Sequence, residues 1–199
     1  MKSRYSFAIT GIITGVLSFV SLYLATWIFE DFLRFDVRFD IMGRPILMML
    51  AIGFLFGGGL GTNLFRHYRV SFIKILIFTI VSGVAYLCAE SLAVHVGIAT
   101  ETMQPALLFG GTVGTFILSL GFHFIFTRLT IRQFMVVISI GGILGEVYHL
   151  AGSIDSSLEA LGLVYFSELV LYTVWQCGVA FIYGLFMEKN PLIAPHGVT

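Results

Sequence analysis

The chain has 199 residues, of which 58% are hydrophobic and 11% charged, and its mean hydropathy is +0.97. Soluble domains carry roughly 25% charged residues, so this composition excludes a soluble globular protein and predicts one whose outer solvent is lipid. The formal net charge is zero, which provides no basic surface for nucleic acid. Cys88 and Cys177 stand alone in apolar runs and form no zinc or redox motif.

Six apolar runs are long enough to cross about 30 Å of hydrocarbon, which takes about 20 helical residues. They are Phe7–Phe29, Pro45–Phe65, Phe72–Val96, Pro105–Thr127, Gln133–Gly152 and Leu161–Met187. The first run is too long for a signal peptide and no A-x-A cleavage site follows it, so we expect a retained signal anchor. The predicted fold is an all-α bundle of six transmembrane helices over residues 1–190, with a short flexible tail over residues 191–199.

Charges in the connecting segments predict the orientation of the bundle. Basic residues gather in alternate segments, and acidic residues outnumber them in the others. The basic segments carry Lys2 and Arg4; Arg66, Arg69 and Lys74; Arg128 and Arg132; and Lys189. Under the positive-inside rule both termini are then cytoplasmic. We expect the membrane to be a bacterial inner (plasma) membrane.

The first outer loop alternates charged and apolar residues from Arg34 to Asp40. A period of two is typical of an extended segment with one apolar face. This segment is interpreted either as a connector at the membrane interface or as a lid over an outer cavity.

Glycines recur four residues apart in several spans. Small-xxx-small spacing lets helix backbones approach closely in a membrane. The pattern includes Gly11 and Gly15 in the first span and Gly53, Gly57 and Gly61 in the second. We expect these faces to support a homo-oligomer or a partner membrane subunit, besides packing within the chain.

Carboxylates inside the spans are the strongest functional signal, because ionisable groups are costly in a membrane. Glu90, Glu146 and Glu168 each stand six or seven residues from the outer end of a predicted span. At 1.5 Å per residue, all three lie about 10 Å below the outer surface. His149 follows Glu146 by three residues, so the two share one helix face. The common depth predicts one polar pocket.

Helical spacing adds aromatic and amide side chains to this pocket. On the third span Tyr86 and Glu90 share a face with Ser82, and on the sixth span Tyr172 and Trp175 share one with Glu168. The predicted outward-facing pocket is lined by Glu90, Glu146, His149, Glu168, Tyr86, Tyr148, Tyr165, Tyr172, Trp175 and Gln176.

Such a pocket suits a cation, a proton or a small solute. Carboxylates bind hard cations, imidazole binds transition metals, and aromatic faces hold organic cations. Glu146-x-x-His149 also matches the spacing of carboxylate metal sites in helical bundles, and with Glu168 it predicts a possible divalent metal site. The structural alternative is that these residues pair with one another inside the bundle and that the aromatic residues form an interfacial belt.

Three functions remain open from the sequence. The first is a small transporter, channel or membrane-embedded solute-binding subunit; in length and span number the chain resembles the substrate-binding subunits of vitamin uptake systems. The second is a non-catalytic scaffold or assembly subunit of a larger membrane complex. The third, least favoured, is an intramembrane metal-dependent enzyme using Glu146, His149 and Glu168; no Ser/His or Cys/His nucleophile arrangement is present.

Overall fold

The computed structural model describes residues 3–26, 40–41, 44–151 and 166–190. Within these ranges six long helices follow one another along the chain. They are α1 (Ser3–Thr26), α2 (Ile46–Tyr68), α3 (Phe72–Thr100), α4 (Met103–Ile125), α5 (Ile131–Gly145) and α6 (Phe166–Lys189). Two short antiparallel strands, β1 (Asp40–Ile41) and β2 (Arg44–Pro45), precede α2. The rest of the alternating first loop, Tyr165 and the tail 191–199 lie outside the described residues.

The prediction of an all-α polytopic membrane protein is confirmed. Five helical segments of the described chain are long and apolar enough to cross a membrane: Ser3–Leu24, Phe72–Thr100, Gln104–Ile125, Ile131–Ala151 and Phe166–Lys189. Helix α2 has 23 residues and packs between α1 and α3. A sixth crossing by α2 and the cytoplasmic position of both termini stay predictions. We call the end of the bundle near the α2–α3 and α4–α5 turns the inner end, and the opposite end the outer end.

Local signals mark the ends of individual helices. The Thr130 side chain accepts a hydrogen bond from the Gln133 backbone N–H, and the Gln133 side chain accepts one from the Thr130 N–H at 2.8 Å. This capping box starts α5 at Ile131. At the other end of the bundle, Glu101 adopts a left-handed conformation with φ 53° and ends α3.

The helices form a closed ring in sequence order. Each helix packs on the next, and α1 packs on α6 to close the circle. The ring therefore places α3 opposite α6, across its interior.

Glycines make several of these contacts unusually close, among them the α1–α6 and α2–α3 contacts. A Cβ atom added at Gly11 would lie 2.5 Å from the Gln176 carbonyl oxygen of α6, and one at Gly15 would lie 2.5 Å from the Thr173 Cα atom. Gly53 and Gly57 face α3 in the same way. Real side chains would force these backbones apart, so glycine fixes the α1–α6 and α2–α3 distances.

The five glycines assigned to a partner face therefore pack within the chain. Gly61, the fifth, lies against Ile75 of α3. An oligomer formed through these faces would require the chain's own helix pairs to separate. The expectation of a homo-oligomer or partner subunit stays a prediction, and the interface would have to use another surface of the protein.

The inner half of the ring is filled by a solid aromatic core. Phe122 stacks on Tyr183 with ring centroids 4.3 Å apart, and Phe78 contacts both Phe122 and Phe126. All four side chains are completely buried. Polar contacts surround this end: Asn63 of α2 bonds with the Ser6 hydroxyl at 2.7 Å. The interior is thus closed over its inner half.

The lateral surface of the bundle, which the helices turn away from the interior of the ring, is apolar, as expected for contact with lipid. Large hydrophobic side chains are exposed along α1 and α3, including Ile13, Leu24, Ile73 and Ile80. Soluble monomers rarely expose many large apolar side chains along whole helices. Together with the five long apolar helices, they identify an integral membrane protein.

Candidate functional site

A cavity occupies the outer half of the ring, above the aromatic core. It consists of an outer chamber of about 390 Å³ and an inner chamber of about 70 Å³. The two chambers adjoin, because Glu90, Leu171 and Tyr172 line both of them. Their walls come from the last turns of α3 and the first turns of α4 and α6.

The outer chamber is acidic. Its lining contains Glu90, Glu101 and Glu168, and no lysine or arginine among the described residues. Glu168 is only 6% exposed, although it lies in the first turn of α6. The positive end of the helix dipole favours a carboxylate at that position. Three carboxylates that line one chamber give it an acidic wall, which favours a cation over an anion.

The inner chamber is mostly apolar, and glycines form part of its wall. Gly110, Gly111 and Gly114 of α4 and Gly145 of α5 lie along its wall. Trp175 lines another side of the chamber, and its indole N–H donates to the Gly141 carbonyl at 3.0 Å. This bond holds the ring in place, so the chamber has a fixed aromatic face.

A ladder of polar pairs crosses the ring from α3 to α6. The outermost pair, Glu90 and Glu168, lines the outer chamber. One helical turn further in, the Tyr86 hydroxyl donates to the Tyr172 hydroxyl at 2.8 Å. The next turn brings Ser82 and Gln176 to one small void.

The ladder arises from spacing of four residues on both helices. Residues 82, 86 and 90 lie on one face of α3, and residues 168, 172 and 176 lie on one face of α6. The two helices run in opposite directions, so the faces meet pair by pair. The polarity changes along the ladder from carboxylate to phenol to neutral hydroxyl and amide.

The structure brings most of the predicted pocket residues to one place. Glu90, Glu168, Tyr86, Tyr172 and Trp175 line the two chambers. Tyr148 lines the outer chamber, and Gln176 lies below the tyrosine pair. That these residues bind a ligand stays a prediction.

Glu146 and His149 are placed differently from the prediction. Helix α5 ends at Gly145, and the Glu146 backbone N–H bonds to the carbonyl three residues earlier at 3.1 Å. The chain becomes helical again over residues 147–151. Neither side chain lines the two chambers, and His149 is exposed. Glu146 keeps a right-handed helical conformation, with φ −69° and ψ −13°, and the His149 N–H donates to its carbonyl at 3.0 Å. That the two side chains share one helix face stays a prediction.

The predicted metal cluster is not assembled in the described part of the chain. There, no group of three or more His, Cys, Asp or Glu side chains is arranged to hold a metal ion. The combination of Glu146, His149 and Glu168 is therefore not brought together. One carboxylate oxygen of Glu146 is buried and finds no hydrogen-bond partner among the described residues.

Glu101 is the site residue that sequence reasoning missed. It follows the last residue of α3 and lies beyond the predicted span Phe72–Val96, in a connecting segment where acidic residues were used only to predict the orientation of the bundle. Helix α3 has 29 residues, more than a bilayer requires. The extra turns place Glu101 at the outer chamber. The length of the apolar run that begins at Phe72 is the feature of the sequence that could have indicated this position.

Comparison with known proteins gives no family for this chain. No family model, no curated protein and no solved structure matches it.

Proposed function

We propose that this integral membrane protein is a small transporter or a membrane-embedded solute-binding subunit that takes an organic cation from its outer side. The observation that carries the proposal is a single cavity in which three carboxylates line the outer chamber and an aromatic, glycine-lined chamber lies behind them. A cationic group would occupy the outer chamber beside Glu90 and Glu168. The apolar body of the solute would extend toward Trp175.

The shape of the site favours an organic cation over a metal ion. Metal ions bind where ligands converge within about 2.0–2.6 Å of one point. The carboxylates here line a chamber of about 390 Å³, and the described chain offers no convergent group of three. Tyrosine and tryptophan faces attract ammonium groups by cation–π interaction, worth about 0.5–2 kcal/mol.

The closed inner half favours a binding site over an open channel. Below the ladder, Phe78, Phe122 and Phe126 are completely buried and contact one another. A solute in the cavity exchanges with the outer side in this conformation. Transport would need a second conformation in which the core opens.

Ligand binding by purified protein tests the proposal. In a Trp27→Phe variant, which leaves Trp175 as the one tryptophan of the sequence, the fluorescence would be titrated with a series of alkyl- and arylalkyl-ammonium ions in one detergent. We expect saturable binding, tighter for cations with an apolar substituent than for ammonium itself. Glu168→Gln and Glu90→Gln should each weaken binding by tenfold or more, because each removes a charge that faces the cation.

Glu146→Gln is the matched control, since it makes the same chemical change outside both chambers. It should bind like the wild type. If Glu146→Gln abolishes binding while Glu168→Gln binds normally, the cavity is not the site. Absence of saturable binding across the whole series would also contradict the proposal.

A further inference from the structure

A small void lies directly below the Tyr86–Tyr172 pair, at the third pair of the ladder. Its volume is about 10 Å³, and its walls include the apolar side chains of Ile52, Phe56 and Leu118. Ser82 of α3 and Gln176 of α6 also line it, beside Tyr86 and Trp175, which line the inner chamber as well. Ser82 is 2% exposed and Gln176 is 1% exposed, so neither reaches bulk solvent.

Both side chains bring an unsatisfied polar atom to the void. The Ser82 Oγ atom and the Gln176 Oε1 atom are buried and have no hydrogen-bond partner among the described residues. The other amide atom of Gln176, Nε2, donates to the Ser18 hydroxyl at 3.0 Å. If the amide were turned over, it would leave Nε2 unsatisfied instead.

Leaving both atoms unsatisfied would be costly. A buried polar atom without a partner costs about 1–3 kcal/mol, and here two of them share one void. A cavity holds a water molecule when it has at least about 10–15 Å³ for the water centre and two to four polar partners. This void lies at the lower limit of that size and offers two partners.

We propose that the void holds one water molecule that bridges the Ser82 hydroxyl and the Gln176 amide. The water accepts a hydrogen bond from Ser82 Oγ and donates one to Gln176 Oε1. A metal cation is a poor alternative, because hard cations take six or more oxygen ligands and two neutral oxygens do not replace a hydration shell. This water site does not depend on which solute occupies the cavity above it.

The water completes a chain of hydrogen bonds across the bundle. It joins α3 to α6, and Gln176 continues the chain to Ser18 of α1. A water bridge tolerates changes in distance better than a direct bond between two side chains. The third pair of the ladder can therefore lengthen or shorten while both buried side chains keep a partner.

Radiolytic hydroxyl-radical footprinting of the purified chain tests this site without any added solute. X-rays convert bound water into hydroxyl radicals, which oxidise adjacent side chains that bulk water does not reach. Phe56 lines the void and neither chamber, and it is 2% exposed. Phe122 is completely buried and lines none of the three, so it is the matched control.

We expect Phe56 to be oxidised several-fold faster than Phe122 in the wild-type protein. Gln176→Leu removes one partner and fills space, so it should reduce Phe56 oxidation to the level of Phe122. Ser82→Ala, a smaller change, should reduce it in part and serves if Gln176→Leu fails to fold. Equal oxidation of Phe56 and Phe122 in the wild type would overturn the proposal, as would unchanged Phe56 oxidation in both variants.

Discussion

The Gly57→Ala substitution tests whether the α2–α3 contact depends on a missing side chain. A Cβ atom at position 57 would lie 2.6 Å from the Ser82 Cβ atom and 2.9 Å from the Thr79 Cα atom. Carbon atoms in good contact are about 3.5–4.0 Å apart, so α2 and α3 would have to separate by about 1 Å. At the next residue, Gly58, the added atom would meet only the Thr79 hydroxyl, at 4.0 Å.

This pair of neighbours isolates the packing effect. Both substitutions gain the higher helix propensity of alanine, about 1 kcal/mol in each case. Only Gly57→Ala overpacks a contact, which costs about 1–3 kcal/mol. We therefore expect Gly57→Ala to be less stable than Gly58→Ala by about 1–3 kcal/mol in the free energy of unfolding.

Thermal unfolding in one detergent measures this difference. Cys88 and Cys177 are half-buried, so a thiol-reactive dye can report their exposure as the chain unfolds. A change of 1 kcal/mol moves Tm by about 2–4 °C for a chain of this size. Equal Tm values for the two variants, or a higher value for Gly57→Ala, would refute the geometry given for the α2–α3 contact.

Three further substitutions probe polar contacts inside the bundle. Trp175→Phe keeps an aromatic face but loses the bond to Gly141, so the free energy of unfolding should fall by about 1 kcal/mol; unchanged thermal stability would show that this bond contributes nothing. Asn63→Leu removes the hydrogen bonds of Asn63 to the Ser6 and Thr10 hydroxyls of α1 and should cost about 1–2 kcal/mol, measured in the same assay; a stabilised variant would contradict this. Tyr86→Phe removes the hydroxyl that donates to Tyr172 at the floor of the cavity. Solute affinity should change less than twofold, whereas the rate of uptake into proteoliposomes should differ from that of the wild type. An unchanged uptake rate would place the tyrosine pair off the transport path.

The faces of α3 and α6 could be predicted from sequence because membrane helices are regular. A continuous helix turns residues four apart to the same side, and lipid forces polar side chains toward the interior. These two rules turn Glu90 and Tyr86 of α3, and Glu168 and Tyr172 of α6, toward the interior. Neither rule needs knowledge of the neighbouring helices.

The same rules did not place Glu146 correctly, because α5 packs on α4 through glycines and this packing leaves Glu146 outside the two chambers. Gly141, Gly142 and Gly145 precede it, and each glycine weakens a helix by about 1 kcal/mol relative to alanine. They serve close packing instead: an added Cβ atom at Gly145 would lie 2.6 Å from the Leu107 carbonyl oxygen. Residue spacing predicts the interior face of a helix poorly where close packing, rather than helix propensity, determines which residues are present.

The partner role of the glycines could not be decided from spacing alone. Small-xxx-small faces have the same pattern whether the second helix belongs to the same chain or to another. In this protein Gly11 and Gly15 are used by α6, and Gly53 and Gly57 by α3. Only the order of helices around the ring distinguishes the two cases.

The close glycine contacts and the polar ladder have different consequences for motion. Glycine contacts fix α1 to α6 and α2 to α3 at distances that leave no room for a side chain, so each pair behaves as a unit. The two units also meet where α1 packs on α2, near the inner end, through the Asn63–Ser6 bond. Between α3 and α6 the ladder joins them through the tyrosine bond of 2.8 Å and the Ser82–Gln176 void. A neutral hydrogen bond contributes about 0.5–1.5 kcal/mol, far less than the packing of a helix pair. If the cavity opens toward the inner side, the separation should therefore begin at the ladder, between α3 and α6, and leave both glycine contacts intact.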